Sequence, residues 1–274
     1  MSTFRTELSK LLSRPAVWVL GIAFVAIIVL FGYALSYLFI AGIEGDPPPE
    51  AQPFLQTLLP EQFLLAALSN FTNFGSAIAV ILAAMAMGSE YRWDTFKAAL
   101  SQGSSRFDVL ASKLAAVAVI LAAFTVVMIA VGAACSFVVS LLLDEAANWP
   151  GLWKTVRAAG AGWLILAVFG AMGLALATIF RGVGLAIGLG LVYVLVLEGI
   201  VNTIAGQSDA ADNVSRALPL RNSADLGRAF GELPQGPQVA TEAVDPAQAS
   251  LVLAAYVVGF LAIAVALFKL RDVA

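Results

Sequence analysis

Apolar residues along this chain gather into six blocks, each about twenty residues or longer and nearly free of charge, with polar residues confined between them. A helix rises about 1.5 Å per residue and the hydrocarbon core of a bilayer is about 30 Å thick, so roughly 20 apolar residues make one crossing. The blocks at 16–40, 63–87, 114–143, 158–180, 183–205 and 250–268 meet that requirement. The predicted fold class is therefore an all-α polytopic membrane protein with six transmembrane helices, forming a single domain over 1–274.

Composition agrees and removes whole classes of chemistry. Of the 274 residues, 61% are hydrophobic and 12% charged, against about a quarter charged in ordinary soluble chains. The single cysteine, Cys135, lies inside an apolar block, so no disulfide framework is predicted. The chain has no histidine, which removes the commonest general base and the commonest metal ligand. No catalytic residue, cofactor-binding residue or metal site is predicted, and the chain is expected not to be an enzyme.

An even number of spans puts both termini on one side. With that side taken as cytoplasmic, ten basic residues lie inside: Arg5, Lys10, Arg14, Arg92, Lys97, Arg106, Lys113, Arg181, Lys269 and Arg271. Five lie outside, namely Lys154, Arg157, Arg216, Arg221 and Arg228. The first outer loop, "GIEGDPPPEAQPFLQTLLPEQ", carries four acids and no base. This asymmetry follows the positive-inside rule and predicts cytoplasmic termini in the cell inner (plasma) membrane. The first apolar block is too long for a signal-peptide core and follows a polar segment, so it is read as a retained span.

Three segments outside the spans carry pattern of their own. In 1–15, "MSTFRTELSKLLSRP", residues Phe4, Leu8, Leu11 and Leu12 fall on one helical face, with Arg5, Glu7 and Lys10 away from it. That spacing predicts an interfacial helix; the alternative is a plain polar cap before the first span. In 206–249, "NVSRALPLRNSADLGRAF" predicts short amphipathic helices that pack on or dip into the outer leaflet, ahead of a Pro- and Gly-rich tail; the alternative is a solvated loop.

The third is 88–113. Tyr91, Trp93, Phe96 and Leu100 alternate with Glu90, Arg92, Asp94 and Lys97. Tyr91 and Trp93 are two apart and lie on nearly opposite sides of a helix. Such a helix is gripped from more than one direction, as between the bilayer interface and a protein partner. "SQGSSR" then supplies turn residues, and Ser104 or Ser105 is a plausible N-cap for the helix leading into the third span. An unpartnered cytoplasmic loop is the alternative.

At these residues the chain resembles the membrane subunits of the type 2 ABC exporters, the ABC-2 permeases. There the segment after the second span reads as Glu, then Gly-Thr, a helical stretch to Leu-Leu-Ser, a Pro or Gly, Ser-Arg, and a Lys entering the third span. Glu90, Thr95, Leu100, Ser101, Gly103, Ser105, Arg106 and Lys113 fall at matching places, and Asp94 departs from the family's Gly. The N-terminal "ELSKLLSRP", the six spans and "ALPLRNSADL", which looks like the family's short re-entrant helices, extend the likeness over nearly the whole chain.

The resemblance implies a permease subunit that pairs with a second permease, as a homo- or heterodimer, in contact with membrane lipid. Separate ABC ATPase subunits would carry ATP and Mg; this chain lacks a Gly-rich loop ending in Lys and Ser or Thr. The stretch from Glu90 to Leu100 would be the coupling helix, with Glu90, Tyr91, Arg92, Trp93, Thr95, Phe96 and Arg106 as ATPase-coupling residues. No nucleic-acid partner is implied.

Candidate pathway residues come from polar positions inside the spans. Ser69, Thr72, Asn73 and Ser76 sit at i, i+3, i+4 and i+7 in the second span, which predicts one polar stripe facing a pathway or packing against protein. Glu198 lies within the fifth span, with Asn202 one turn on; an intramembrane carboxylate is a functional candidate, and the alternative is an outer-end residue that reaches water or the arginines at 216–228. Gly170, Gly173, Gly182, Gly184, Gly188 and Gly190 predict close packing of the fourth and fifth spans. Two other functions compete with the exporter: an ion-coupled transporter or channel built on Glu198, and a membrane scaffold without transport.

Overall fold

The computed structural model describes residues 2–41, 52–92, 106–205, 209–231 and 243–270. Every regular element among the described residues is helical. Six helices are long and apolar enough to cross a membrane: α2 (Pro15–Leu38), α4 (Phe63–Tyr91), α5 (Asp108–Leu142), α6 (Leu152–Phe180), α7 (Val183–Ala205) and α10 (Pro246–Leu270). Shorter helices lie between them: α1 (Ser2–Leu12), α3 (Gln52–Leu58), α8 (Asp209–Ser215) and α9 (Pro219–Arg228). This is the layout of a multi-pass membrane protein. The face carrying α1 and the end of α10 is called here the terminal face, and the opposite one the far face.

The predicted blocks coincide with these helices, several of which extend beyond them by a turn or more. α4 continues through Tyr91 and α5 already runs at Asp108, so Glu90, Asp108 and Lys113 ride on rigid helical ends and not on a loop. Two peptide-bond accounting rules explain such long helices: no group can be left unpaired in hydrocarbon, and each added turn satisfies its own backbone.

α6 is the hub, packing on α4, α5, α7 and α10. Its Ile165, Phe169 and Met172 are buried in the common core with Leu64, Phe71 and Leu121. Close approach is set by glycine. A Cβ on Gly173 would lie 2.5 Å from the Val80 carbonyl oxygen of α4, and one on Gly190 would lie 2.5 Å from Val80 Cγ1. The outward faces of α2, α7 and α10 stay apolar and exposed, as at Trp18, Ile22, Leu185, Leu251 and Val258. In water such a surface would drive aggregation, whereas lipid solvates it.

Three spans contain a π-helical turn: Ile28–Ala34 in α2, Phe71–Gly75 in α4 and Tyr193–Leu197 in α7. A π turn pairs i with i+5, so it inserts a residue and shifts which side chains share a face beyond it. α6 ends differently. Arg181 adopts the left-handed conformation (φ 50) and Gly182 is extended, so the chain reverses into α7 within two residues. Gly88 of α4 abuts that reversal, where a Cβ would lie 2.9 Å from the Val183 nitrogen.

α1 differs from the expected interfacial helix at two residues. It packs on α5, with Leu11 buried and Phe4 and Leu8 against the core. Leu12, however, is exposed, and Glu7, placed by the sequence on the outward face, is buried. Glu7 lies one turn before Leu11, on the same face. A carboxylate is tolerated there because α5 supplies a cation beneath it.

Candidate functional site

That cation is Lys113. Its side chain is 1% exposed, and its Nζ donates to Glu7 Oε2 of α1 at 2.6 Å and to Glu90 Oε1 of α4 at 3.1 Å. Lys10 donates to the other Glu7 oxygen at 2.6 Å. Arg14, in the link from α1 to α2, places Nη2 3.5 Å from Glu90 Oε1 and donates Nη1 to Ser89 Oγ at 2.7 Å and to the Met85 carbonyl at 3.3 Å. Five charged side chains from α1, its link to α2, α4 and α5 thus form one network at the terminal face.

Such a network holds its geometry tightly. Each buried charge costs several kcal/mol to desolvate, so every member depends on its partners remaining in place. The network also lies at both ends of the segment 93–105: Glu90 sits just before it, on the last turn of α4, and Lys113 follows it, two turns into the helix that starts at Arg106. The two ends are therefore joined to each other and to α1.

Glu7 gives this network a pH dependence. Burial alone would raise its carboxyl, but the Lys113 charge and the bonds from Lys10 and Lys113 outweigh burial and hold it below the ordinary value of 4.5. A carboxyl whose folded pKa is depressed stabilises the fold above its ordinary value, and that contribution disappears as pH falls through the folded value. The thermal midpoint in detergent is expected to fall on acidification below about pH 4.5, and Glu7→Gln is expected to flatten that fall. An unchanged pH profile in the variant would remove Glu7 from the account.

Of the predicted coupling residues, Glu90 is buried in the network, facing inward, and Tyr91 packs partly buried against the core. Arg92 closes one helix and Arg106 opens the next. Trp93, Asp94, Thr95 and Phe96, with the Ser104 or Ser105 cap, lie outside the described residues.

The polar stripe of the second span does not form a single face. Thr72 and Ser76 are buried, and their hydroxyls donate to the carbonyls of Leu68 (3.2 Å) and Thr72 (2.7 Å) one turn back. Asn73 is exposed and Ser69 only half-buried. The π turn at Phe71–Gly75 passes through the middle of the stripe and breaks the i, i+4 count on which it rested. Nor do these residues line the apolar groove of about 430 Å³ between α2 and α5, whose walls include Trp18, Ile22, Phe124 and Met128.

Glu198 and Asn202 do share a face, on the α-helical end of α7. Glu198 is 1% exposed, and its Oε2 accepts the Leu220 N–H of α9 at 2.7 Å. Leu220 belongs to the first turn of α9, where N–H groups have no partner within the helix and the dipole is positive, so the carboxylate caps a helix 22 residues away. α9 itself packs among α4, α6 and α10. Its buried Asp225 accepts from Arg221 Nε (2.7 Å), Arg228 Nη1 (2.8 Å) and the Val244 N–H (3.1 Å), which fastens the far-face segment to the start of α10.

Residues 19–274 match the family described as "Protein of unknown function (DUF2705)". The chain belongs to this family. No curated protein matches the chain. For this DUF2705 member the terminal-face network is the feature with the most developed chemistry, and sequence reading missed it in two ways. The helical pattern puts Glu7 on the face away from the apolar residues, and Lys113 stands out in the sequence only as an inside charge and a position of the family resemblance. The available indication was that Glu90 and Lys113 flank the charged segment symmetrically, each one or two turns into a helix.

The glycines divide in the same fashion. Gly170, Gly173 and Gly190 make close contacts, but with Leu121 of α5 and Val80 of α4, and of the three only Gly190 also meets the other predicted span, at Leu176; Gly184 and Gly188 have no heavy atom near the position of a Cβ and Gly182 only its neighbouring turn. Gly88 and Gly162, not singled out from the sequence, are packed against the Gly182–Val183 backbone and against Phe71.

Proposed function

We propose that this DUF2705 member is the transmembrane permease subunit of an ATP-binding cassette exporter. It pairs with a second permease and is driven by a separate ATPase that binds ATP and Mg. In this reading the terminal face is cytoplasmic, and the 93–105 segment, with Trp93, Thr95 and Phe96, docks on the ATPase.

One observation carries the reading: Lys113 binds Glu90 and Glu7 at once. A push on a flexible loop dissipates, but a push on a segment whose two ends are locked by a buried ion network moves α4, α5 and α1 together. The inward position of Glu90 fits this role. It acts by transmitting displacement between helices, while the grip on the partner falls to Trp93 and Phe96.

The test is whether a gene beside this one encodes a separate ABC ATPase, and whether that ATPase co-purifies with the chain. Wild-type chain is expected to retain the ATPase, and Trp93→Ala with Phe96→Ala is expected to lose at least about 1–2 kcal/mol of binding, on the scale of aromatic anchors at interfaces. Normal retention of the ATPase by the double variant would overturn the docking assignment.

A further inference from the structure

The far face holds a second polar site that the transport reading does not use. Among the described residues, the buried side-chain oxygens without a hydrogen-bond partner are Glu198 Oε1, Asn202 Oδ1, Asp212 Oδ1, Asn222 Oδ1 and Ser223 Oγ. Scattered orphans would reflect local imperfections. These all fall between residues 198 and 223, on the end of α7 and on α8 and α9.

Direct bonds connect the segments that carry three of them, Glu198, Asn222 and Asp212; Asn202 lies one turn from Glu198 and Ser223 is next to Asn222. α7 packs on both α8 and α9. Glu198 Oε2 accepts from Leu220, and two residues later Asn222 donates its amide to the Arg216 carbonyl at 2.8 Å. Arg216 Nε in turn donates to Asp212 Oδ2 at 2.7 Å. Asn222 uses its remaining donor on the Leu218 carbonyl at 2.8 Å, which leaves Oδ1 as pure acceptor. Glu198, Asn222 and Ser223 are at least nine-tenths buried. The Tyr193 hydroxyl approaches the Glu198 carboxylate as a hydrogen-bond donor, but it leaves Oε1 without a bond of full geometry.

Buried oxygens of this kind each cost free energy unless something donates to them or coordinates them. The set is rich in acceptors: two carboxylates, two amide oxygens and a hydroxyl. Only two members are acidic, and no three His, Cys, Asp or Glu side chains meet among the described residues. Soft and borderline metals, which favour sulfur and imidazole, are thereby disfavoured. Hard cations bind oxygen, and Ca²⁺ accepts mixed carboxylate, amide and water ligands in irregular geometry, where Mg²⁺ demands an octahedron and gives up its waters reluctantly.

We propose that the corner formed by α7, α8 and α9 binds Ca²⁺ through the oxygens of Glu198, Asn202, Asp212, Asn222 and Ser223. The ion pins the far-face helices onto the end of α7, and it adds a cation to a carboxylate otherwise held by the α9 N-terminus and the Tyr193 hydroxyl.

The full chain, purified in nanodiscs and stripped with chelator, is titrated with CaCl₂ while thermal unfolding is followed. A saturable rise in the midpoint is expected, as for any ligand that binds the folded state alone. Tb³⁺, a Ca²⁺ surrogate, is expected to luminesce through Tyr193 and to be displaced by Ca²⁺. Glu198→Gln and Asp212→Asn are each expected to weaken Ca²⁺ about 10-fold or more, because each removes a ligand charge. Asp212 is only partly buried, so its variant keeps the test meaningful should Glu198→Gln fail to fold. An unchanged midpoint overturns the proposal, as does an equal response to NaCl at matched ionic strength. Wild-type Ca²⁺ affinity in the folded variants overturns it as well.

Discussion

Replacing Lys113 with methionine is expected to cost about 3–5 kcal/mol, the scale for breaking a buried ion pair by removing one partner. The ammonium is shared by two carboxylates on different helices, so its loss leaves Glu7 and Glu90 buried and mutually repulsive. Lys10 and Arg14 remain but approach from the more exposed side, with Arg14 Nη2 at 3.5 Å from Glu90. The measurement is unfolding of the purified chain in mixed micelles, with helix content read by circular dichroism. The triple change Glu7→Gln, Glu90→Gln, Lys113→Met is expected to recover most of the loss, because it removes the unpaired charges as well as the cation. Equal loss in the single and triple variants would mean that packing of the lysine stem, not charge, holds α1 on α5. Retention of wild-type stability by Lys113→Met would dismiss the network as a mechanical link.

Gly173→Ala and Gly184→Ala are expected to move stability in opposite directions although both add one methyl group to a helix. At Gly173 the new Cβ would meet the Val80 carbonyl oxygen at 2.5 Å and the Val80 Cα at 3.1 Å. These are backbone atoms of a neighbouring span and cannot rotate aside, so α4 and α6 must separate. Overpacking of this kind costs about 1–3 kcal/mol, and here it also strains Gly190, which packs on the same Val80. At Gly184 no heavy atom lies within 4 Å, so the methyl meets open space and the chain gains about 0.5–1 kcal/mol of helix propensity. Unfolding midpoints of the two variants beside wild type decide the matter. A neutral Gly173→Ala would show that the α4–α6 contact is looser than the distances imply.

Thr95, Leu100, Ser101, Gly103 and Ser105, which share in the family resemblance, lie in 93–105, outside the described residues. What the described residues add is the setting of that segment. Glu90 and Lys113 entered the resemblance as motif positions; their pairing across α4 and α5 gives a physical reason for both residue types at that spacing. Glu198, by contrast, is explained by neither spacing nor motif, since its partner is a backbone N–H of α9, 22 residues further along the chain.

The sequence by itself determined the spans. A hydrocarbon solvent penalises every unpaired backbone group and every charge, so length and apolarity alone place six helices to within a few residues, and they separate the two faces by charge. It also placed Glu198 and Asn202 on one face, because the helix there is regular. Only the tertiary structure decided the rest. Which glycines touch a neighbour depends on how helices are rotated, and Gly173 and Gly184 are indistinguishable until α4 is in place. The stripe at Ser69 to Ser76 failed because a π turn, invisible to an i, i+4 count, lies inside it. Glu7 turned inward because a lysine 106 residues away lies beneath it. Periodicity reports the environment averaged along one helix, whereas burial of a charge is settled by the one atom that comes to meet it.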